Sequence, residues 1–483
     1  MMNRGILATI ILSLLAIGGC KLFEPYNQPD LSAPTDFYGQ VSPINNNDKS
    51  IATTIWKDFF GDTILINLID EAISNNLDLK LAGLYQDIAE LKLHQINANR
   101  LPTVGSSPIS NRRDYYSKNY NNFGSNRARR NYDQGDIPQS FYKERVEYFS
   151  SIDLSWEIDI WGKLKGQRRA QQLRYKQSEE YRKAVQTWII AELATTYFNL
   201  ALLKSQIDIY NANLILNTNT LKIVELQFEA GEVTSLAVKQ TLSQKLRAQT
   251  LIPQLEREFI RQENRLNGLL GRYSKPIVLA ELKEPKNNDT YITGQPMELI
   301  SNRPDIASAE LKLKEAYERV GITNAMRYPS INLGLVVGLN SFQLDKLLNP
   351  MGSGFLLLNG VIYQPIFQQR KLKTNYEIAL KEKEIAEIQF KDSFIQAMNE
   401  VSNALVAINK LKEEYIIAQE RVTAAKDALE DASFLFRSGL ANYLEVITAQ
   451  REALESELNL ESAKMRIFSA EIELYRSLGG GWK

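Results

Sequence analysis

The chain contains one long segment twice, and this duplication constrains its fold more than any single motif. The sequence FEAGEVTSLAV at 228–238 recurs as FRSGLANYLEV at 436–446. Four residues recur at an offset of 208, namely Phe228, Gly231, Leu236 and Val238 as Phe436, Gly439, Leu444 and Val446. The same offset carries KLK at 163–165 onto KLK at 371–373. A duplication of this length predicts one supersecondary unit that is built twice.

Upstream of that segment the offset changes, which reveals an insertion in the first copy. Residues 76–102 correspond to residues 303–329 at an offset of 227, so 19 residues are present only in the first copy, between Pro102 and Lys163. This stretch is a mixture of Tyr, Asn and Arg without apolar periodicity. It predicts a long exposed loop at about 105–145.

The balance of charged and metal-binding residues excludes several function classes. There are 57 Lys and Arg residues against 57 Asp and Glu residues, so no overall field favours nucleic acid. The single cysteine excludes an intrachain disulfide and a cysteine-based zinc cluster. His94 is the only histidine, with no cysteine near it in sequence. We therefore expect no metal site, no cofactor and no enzyme activity.

The amino terminus has the pattern of an export signal. Arg4 is followed by an apolar run from Ile6 to Ile17, then by two glycines and Cys20. The run is shorter than the roughly 20 residues of a transmembrane helix. Small residues directly before a cysteine resemble a bacterial lipoprotein signal, which predicts a signal peptide at 1–19, lipidation of Cys20 and an extended anchored segment at 20–65. The alternatives are an ordinary signal peptide or an uncleaved anchor.

Long helical hairpins are predicted in both copies. Helix-forming residues without proline run from about 164 to 229 and from about 372 to 437, with apolar residues three and four apart over five heptads. Each of these long helices is followed by a glycine, Gly231 or Gly439, which suits a left-handed helix cap. Return helices follow at about 236–270 and 442–477. Pro253 is expected to break or kink the first of them.

The other end of each copy alternates with a period of two. Even positions from Val146 to Ile160 are mostly apolar and odd positions mostly polar, which is typical of a membrane strand with one wet face. Further strands are predicted near 103–109, 331–339 and 355–366, the first containing Pro108. Four strands cannot close a barrel, and lipid does not tolerate an open sheet edge, so the chain must form a dimer or a trimer. The polar face favours the trimer, with twelve strands and a lumen.

Short motifs across the whole chain resemble those of the outer-membrane efflux proteins. They are WKDFFGD at 56–62, NLDL at 76–79, WEIDIWGK at 156–163, IPQLE at 252–256, LLG at 269–271, NRPDI at 302–306, QPIF at 364–367 and GGGW at 479–482. The chain is similar to the TolC-like family, in its lipid-anchored branch that includes OprM and CmeC. Within that family the two copies are expected at 66–290 and 291–477, with a tail at 478–483.

The resemblance implies a mixed α/β membrane channel. Four transmembrane β-strands and two long helical hairpins per chain would assemble as a homotrimer, with a twelve-stranded β-barrel in outer-membrane lipid continuing into a periplasmic α-helical barrel. The implied partners are a periplasmic adaptor protein and an inner-membrane pump of the RND type. No nucleic acid is implied.

The resemblance also implies where the functional residues lie. Acidic residues just beyond the second helical tip would ring a closed periplasmic mouth, and Glu445 occupies the first such position. Thr448 stands at the second, and Phe436 is a further gate candidate. The tip turns at Gly231 and Gly439 would dock the adaptor. Without the resemblance, Glu445 is better explained as a solvated surface acid than as a gate residue.

The leading hypothesis is the exit duct of a tripartite pump that exports drugs and other toxic small molecules across the periplasm and outer membrane. Within transport, the alternatives are a duct for type I protein secretion and one for metal-cation efflux. A hypothesis of another class is a lipid-anchored periplasmic coiled-coil spacer. The period-two strands argue against the spacer, since a spacer needs no amphipathic sheet.

Overall fold

The computed structural model describes residues 22–39, 50–117, 142–280, 284–285 and 291–483. Cys20 and the predicted signal peptide lie outside these ranges. The chain divides into two compact units. The strand unit contains the residues up to Tyr26 together with Leu91–Gln172 and Lys314–Lys383, and the helical unit contains Asn27–Glu90, Leu173–Leu313 and Glu384–Lys483.

The strand unit is built on one antiparallel sheet. Its strands are β1 (Thr103–Ser117), β2 (Tyr142–Ile158), β3 (Ser330–Ser341) and β4 (Gly354–Tyr363). They lie side by side in chain order, so β1 and β4 are the outer strands. For example, Trp156 of β2 pairs with Leu333 of β3, and Leu335 of β3 pairs with Leu358 of β4. The four strands predicted from the alternation are therefore present and hydrogen-bonded to their neighbours.

The register separates an apolar face of the sheet from a polar one. Directly opposite residues of an antiparallel pair lie on the same face. The apolar face carries Val104, Ile152, Leu154, Trp156, Leu333, Leu335, Val337, Leu356 and Leu358. The other face carries the polar residues Asp153, Ser155, Glu157, Asn332 and Asn359, together with Gly334 and the apolar residues Val336, Phe355, Leu357 and Val361 of β3 and β4. The sheet is thus amphipathic across its strands, as the alternation in the sequence predicts.

The predicted loop at 105–145 is wrong at both of its ends. Strand β1 continues to Ser117 and β2 begins at Tyr142, so strand pairing replaces loop on both sides. Pro108 does not end β1, because the pairing is interrupted between Ser107 and Ser110 and then resumes. A proline has no N–H for the ladder and is tolerated at such a bulge.

The helices repeat at the two offsets found in the sequence. The short helices are α1 (Trp56–Phe60), α2 (Thr63–Asn75), α6 (Leu299–Asn302) and α8 (Pro350–Ser353), and the medium ones are α3 (Leu77–Ala98) and α7 (Pro304–Ala325). The long ones are α4 (Lys163–Glu229), α5 (Ser235–Leu269), α9 (Lys371–Arg437) and α10 (Tyr443–Ser477). The first and second long helices have 67 and 35 residues in both copies.

Helix α5 runs without interruption through Pro253, so the predicted break is wrong. Proline removes one backbone hydrogen bond, and the 35-residue helix stays continuous around it. Many of the apolar residues that are spaced three and four apart in the long helices are buried, including Leu193, Leu200, Val401 and Ile408. In the described part of the chain, no helix is both long and apolar enough to cross a membrane.

The core of the helical unit joins the short amino-terminal helices to the long ones. Its buried residues are Trp56, Leu65, Ile69, Ile189, Ile190, Leu193, Tyr197, Leu200, Leu266, Leu270, Ile472 and Tyr475, with others beside them. The Tyr197 hydroxyl donates to Asp62, which caps α2, and accepts from the amide of Ala280. Burial, reinforced by the Asp62 carboxylate, raises the pKa of Tyr197 to about 12.

Candidate functional site

The tip of each helical hairpin is a tight turn closed by backbone hydrogen bonds. At the first tip the amide of Gly231 donates to Phe228 O and that of Glu232 to Gln227 O, at 3.0 and 2.9 Å. At the second, Gly439 donates to Phe436 O and Leu440 to Leu435 O, at 3.1 and 2.9 Å. Both patterns are Schellman motifs, which need a left-handed residue. Gly231 and Gly439 supply it, with φ of 76° and 72°.

The second tip exposes the predicted acid and holds it in place. Asn442 caps α10, and its side-chain oxygen accepts from the amides of Leu444 and Glu445 at 2.9 and 3.1 Å. Its side-chain nitrogen donates to the Glu445 carboxylate at 2.9 Å. Glu445 and Thr448 are both exposed, and the Thr448 hydroxyl donates to Leu444 O. The carboxylate therefore has a defined position, one helical turn from Thr448.

The first tip has neither the acid nor the cap. Thr234 stands at the N-cap of α5, the counterpart of Asn442, and its side chain makes no capping hydrogen bond. Ala237 occupies the position that corresponds to Glu445 and is fully buried, at 0% exposure. It packs with Val224, Phe436 and Val446 in a small core to which both hairpins contribute. The copies thus use the same position for packing in one tip and for charge in the other.

Phe436, the third gate candidate, belongs to that tip core, and its role at the gate stays a prediction. Its side chain is only 5% exposed and lies among residues of both hairpins. A ring that is buried within one chain has little surface left to line a constriction. Among the three gate candidates, the structure leaves Glu445 and Thr448 on the surface.

Apolar side chains are exposed on both tips. The most open is Leu440, directly after Gly439, at 76% exposure. Other exposed apolar residues include Phe228 and Leu236 at the first tip and Phe434 and Leu444 at the second. Exposed apolar groups that cluster on one surface mark sites of protein interaction.

At the opposite end of each hairpin the two copies share a backbone arrangement. Gly271 and Gly479 close α5 and α10, again with positive φ. A methyl group on Gly271 would lie 2.5 Å from Asn75 O, and one on Gly479 would lie 2.4 Å from Asn302 O. Asn75 and Asn302 are themselves counterparts at the offset of 227. The chain therefore passes over these glycines with no room for a side chain.

At this end of the second copy, the buried side chain of Arg303 is paired with two partly exposed carboxylates. The Arg303 side chain donates to Asp305 and Glu400, at 2.6 and 2.7 Å, and to Ser477 O at 3.0 Å. Burial alone would raise the pKa of Asp305, but the hydrogen bonds and charge of Arg303 outweigh it, so the pKa is lowered.

The first copy makes the corresponding contact with a neutral residue. Asn76 is the counterpart of Arg303, and its side-chain amide donates to Leu269 O at 2.8 Å. Leu269 is the counterpart of Ser477, so both copies bind the last carbonyl of the return helix from the same position.

Sequence reasoning missed the capping role at the second tip. Asn442 and Glu445 stand three residues apart before an apolar helix, the spacing of a capping box, and this signal was available from the sequence. Within the described ranges there is no cluster of three His, Cys, Asp or Glu residues that could hold a metal ion.

Comparison with known proteins agrees with this geometry. The profile of the family described as "Outer membrane efflux protein" matches residues 68–272 and 296–480. The chain is 29% identical over 482 residues to the "Solvent efflux pump outer membrane protein SrpC" of Pseudomonas putida, covering 97% of both chains. It is 28% identical over 481 residues to the "Probable outer membrane lipoprotein SilC" of Salmonella typhimurium, covering 98% of both.

Solved structures show the same fold. The Campylobacter jejuni CmeC outer membrane channel superposes with a TM-score of 0.82 at 24% identity, over 96% of this chain and 95% of that one. The match runs through both copies and both units, so the mixed α/β channel fold is shared. The chain is an outer-membrane efflux channel protein, and it belongs to the outer membrane efflux protein family.

Proposed function

We propose that the chain forms, as a homotrimer, the outer-membrane exit duct of a tripartite efflux pump. The amphipathic four-stranded sheet carries this proposal. Its outer strands β1 and β4 each have one edge without a neighbouring strand among the described residues. Such edges are not tolerated in lipid, and three chains joined edge to edge give twelve strands with the apolar face outward. The face with Asp153, Glu157 and Asn332 then lines a wet lumen.

The helical tips are proposed as the docking site for a periplasmic adaptor, which connects the duct to an inner-membrane pump of the RND type. The exposed apolar residues Leu236, Leu440 and Leu444 support this assignment, because they surround the two rigid glycine turns. A lipid-anchored spacer would have no need of the amphipathic sheet. We propose no catalytic activity, since the duct is passive.

The proposed cargo is small toxic molecules, including organic solvents and drugs. SrpC, a relative over the whole length, is named for solvent efflux. Deleting the gene should lower resistance to toluene, detergents, bile salts and several antibiotic classes, and plasmid-borne wild type should restore it. Copper and silver belong in the same panel. Lost resistance to metals alone would favour cation efflux, and loss of a secreted protein with unchanged resistance would favour type I secretion.

Cys20 is proposed as the lipid attachment site. The residue lies outside the described ranges, so the proposal rests on the signal pattern and on the relative that is named a lipoprotein. Several acyl chains at about 0.8 kcal/mol per buried CH₂ would anchor the mature chain stably. Cys20→Ser should abolish labelling with radioactive palmitate while the export signal remains. Retained label in this variant would reject the assignment.

Glu445 is proposed as the charged residue of the periplasmic gate, with Thr448 beside it. In a trimer, three exposed carboxylates on one axis would concentrate cations and bind divalent ions. The cap from Asn442 supports this role, because it holds each carboxylate at one position.

A further inference from the structure

The amino-terminal residues of the strand unit pack onto two helices through one aromatic ring. Phe23 lies against Gly162, Gly166 in the first turn of α4, and Gly321 in α7. A methyl group on Gly321 would lie 2.1 Å from Phe23 Cδ1, and one on Gly166 would lie 2.5 Å from Cε1. We call these three residues the glycine seat, since the ring occupies the space that side chains would fill.

The glycines of the seat cannot be explained by the helices themselves. Glycine inside a helix is about 1 kcal/mol less favourable than alanine. Gly166 and Gly321 do not have positive φ angles, so their backbone conformation is open to any residue. By contrast, a methyl group on Gly83 in α3 would meet nothing within 4 Å. Glycine therefore lowers helix stability at Gly166 and Gly321, and the ring of Phe23 occupies the space that a side chain at either position would fill.

Charged and aromatic contacts hold the segment on both sides of the ring. The Arg169 guanidinium lies 4.8 Å from the centre of the Phe23 ring, within cation–π range, and is itself fixed by two hydrogen bonds to Glu318. Further contacts are the ion pair of Glu24 with Lys383 at 3.1 Å and the edge-on packing of Tyr26 on Tyr317, with ring centres 5.5 Å apart. Every residue from 23 to 26 except Pro25 thus has a named partner.

We propose that residues 22–26 form a docking segment, and that the glycine seat fixes the position at which the lipid-bearing terminus enters the membrane. This inference rests on the proposed lipidation of Cys20. Three residues of extended chain reach at most about 10 Å, so a seated Phe23 keeps Cys20 within that distance. The seat also lies at the end of the sheet, because Gly162 follows Trp161, whose indole donates to Pro329 O just before β3.

A seated segment changes what the lipid does for the protein. On a free tether, the acyl chains would only keep the chain near the membrane. With Phe23 in the seat, they enter the bilayer at one place beside the sheet, so the anchor also orients the strands that must insert and pair.

The bond between Lys21 and Leu22 gives a direct test, since trypsin cleaves after lysine and needs an extended, undocked substrate. Purified full-length protein would be digested briefly, and the appearance of Leu22 as a new amino terminus followed by mass spectrometry. Gly321→Ala should speed this cleavage about tenfold, because displacing the half-buried phenylalanine ring shifts the docked equilibrium by about that factor. Gly83→Ala, the same change where no ring is near, should leave the rate unchanged.

A double variant keeps the test independent of general destabilisation. Phe23→Ala should speed cleavage as Gly321→Ala does, and adding Gly321→Ala to Phe23→Ala should have no further effect, because no ring remains to displace. Equal rates in wild type and Gly321→Ala, or a full extra effect in the double variant, would overturn the proposal. The released dipeptide reports separately on lipidation. If it carries no acyl chains, the anchor is rejected while the docking measurement stands.

Discussion

The two copies of the repeat agree at one end of their hairpins and differ at the other. Next to Asn75 and Asn302, both copies use a left-handed glycine under a backbone carbonyl, and both bind the last carbonyl of the return helix from Asn76 or Arg303. At the tips the turns are the same, but Ala237 packs inside while Glu445 faces solvent. The backbone geometry is thus the same at both ends of the two hairpins, and the side chains differ at the tips.

The largest loss of stability is expected when the first tip receives the acid of the second tip. Ala237→Glu should lower the free energy of unfolding by about 3 to 5 kcal/mol, because it places an unpaired charge among Val224, Phe436 and Val446. Guanidinium chloride unfolding followed by far-UV circular dichroism would measure it. The reciprocal Glu445→Ala serves as control and should change stability by less than about 1 kcal/mol. Similar losses in both variants would show that the tips are not different in packing.

A second variant pair compares the two ends of one helix. Gly479→Ala combines positive φ with a methyl group 2.4 Å from Asn302 O, whereas Gly439→Ala has positive φ and open space. The tip variant should lose about 1 to 2 kcal/mol from the left-handed strain alone. Gly479→Ala should lower the free energy of unfolding clearly more than the tip variant does. Gly271→Ala should destabilise the protein as much as Gly479→Ala. A Gly479→Ala protein as stable as the tip variant would show that the backbone there moves freely.

The charge network offers a pH-dependent test of how the copies differ. Arg303→Met should cost about 2 to 3 kcal/mol at neutral pH, as Asp305 and Glu400 lose their buried partner. The pKa of Asp305 is lowered in the fold, so its contribution is complete above the ordinary carboxyl pKa of about 4 and is lost as the pH falls through the lowered value. Unfolding curves of wild type and variant should therefore converge in acid.

Asn76→Leu in the first copy is the matched control for this measurement, since no ion pair is removed there. Its destabilisation should be independent of pH. A gap between wild type and Arg303→Met that stays constant down to about pH 2, well below the ordinary carboxyl range, would contradict the ionic origin of the difference.

The smallest expected change in stability concerns the second tip, where two roles of Glu445 can be separated. Asn442→Ala removes the cap and should lower the free energy of unfolding by about 1 kcal/mol, while the charge of Glu445 is kept. Glu445→Ala removes the charge. In planar bilayers it should raise conductance and weaken block by divalent cations several-fold, whereas Asn442→Ala should do so much less. Unchanged currents in Glu445→Ala would remove this residue from the gate.

The long helices could be read from the sequence because one signal repeats over many turns. The apolar heptad pattern, with residues such as Leu193 and Val401, and the glycines after the helices predicted the ends of the long helices to within about one residue of their observed bounds. Strand β1 extends further than predicted, because backbone pairing carries Arg112 and Arg113 into the sheet without an apolar side-chain pattern.

Two of the features missed at the sites depend on contacts between distant segments, and the third is a local cap. Phe436 is buried by side chains of the other hairpin, about 200 residues away, so its local sequence gives no sign of burial. The glycine seat combines residues from two helices with Phe23, and only the folded chain brings them together. The gate role of Glu445 stays a prediction from the resemblance. Its contact with Asn442 is the local feature that the sequence could have shown.

The equal lengths of the paired helices, 67 and 35 residues in both copies, also restrict how this chain can change. The tip core and the opposite end of each hairpin both require the two copies to meet in register. An insertion in one hairpin alone would shift its tip out of that core. Lengthening of the hairpins is therefore open to evolution or design only as matched edits in both copies, in steps that keep the heptad phase.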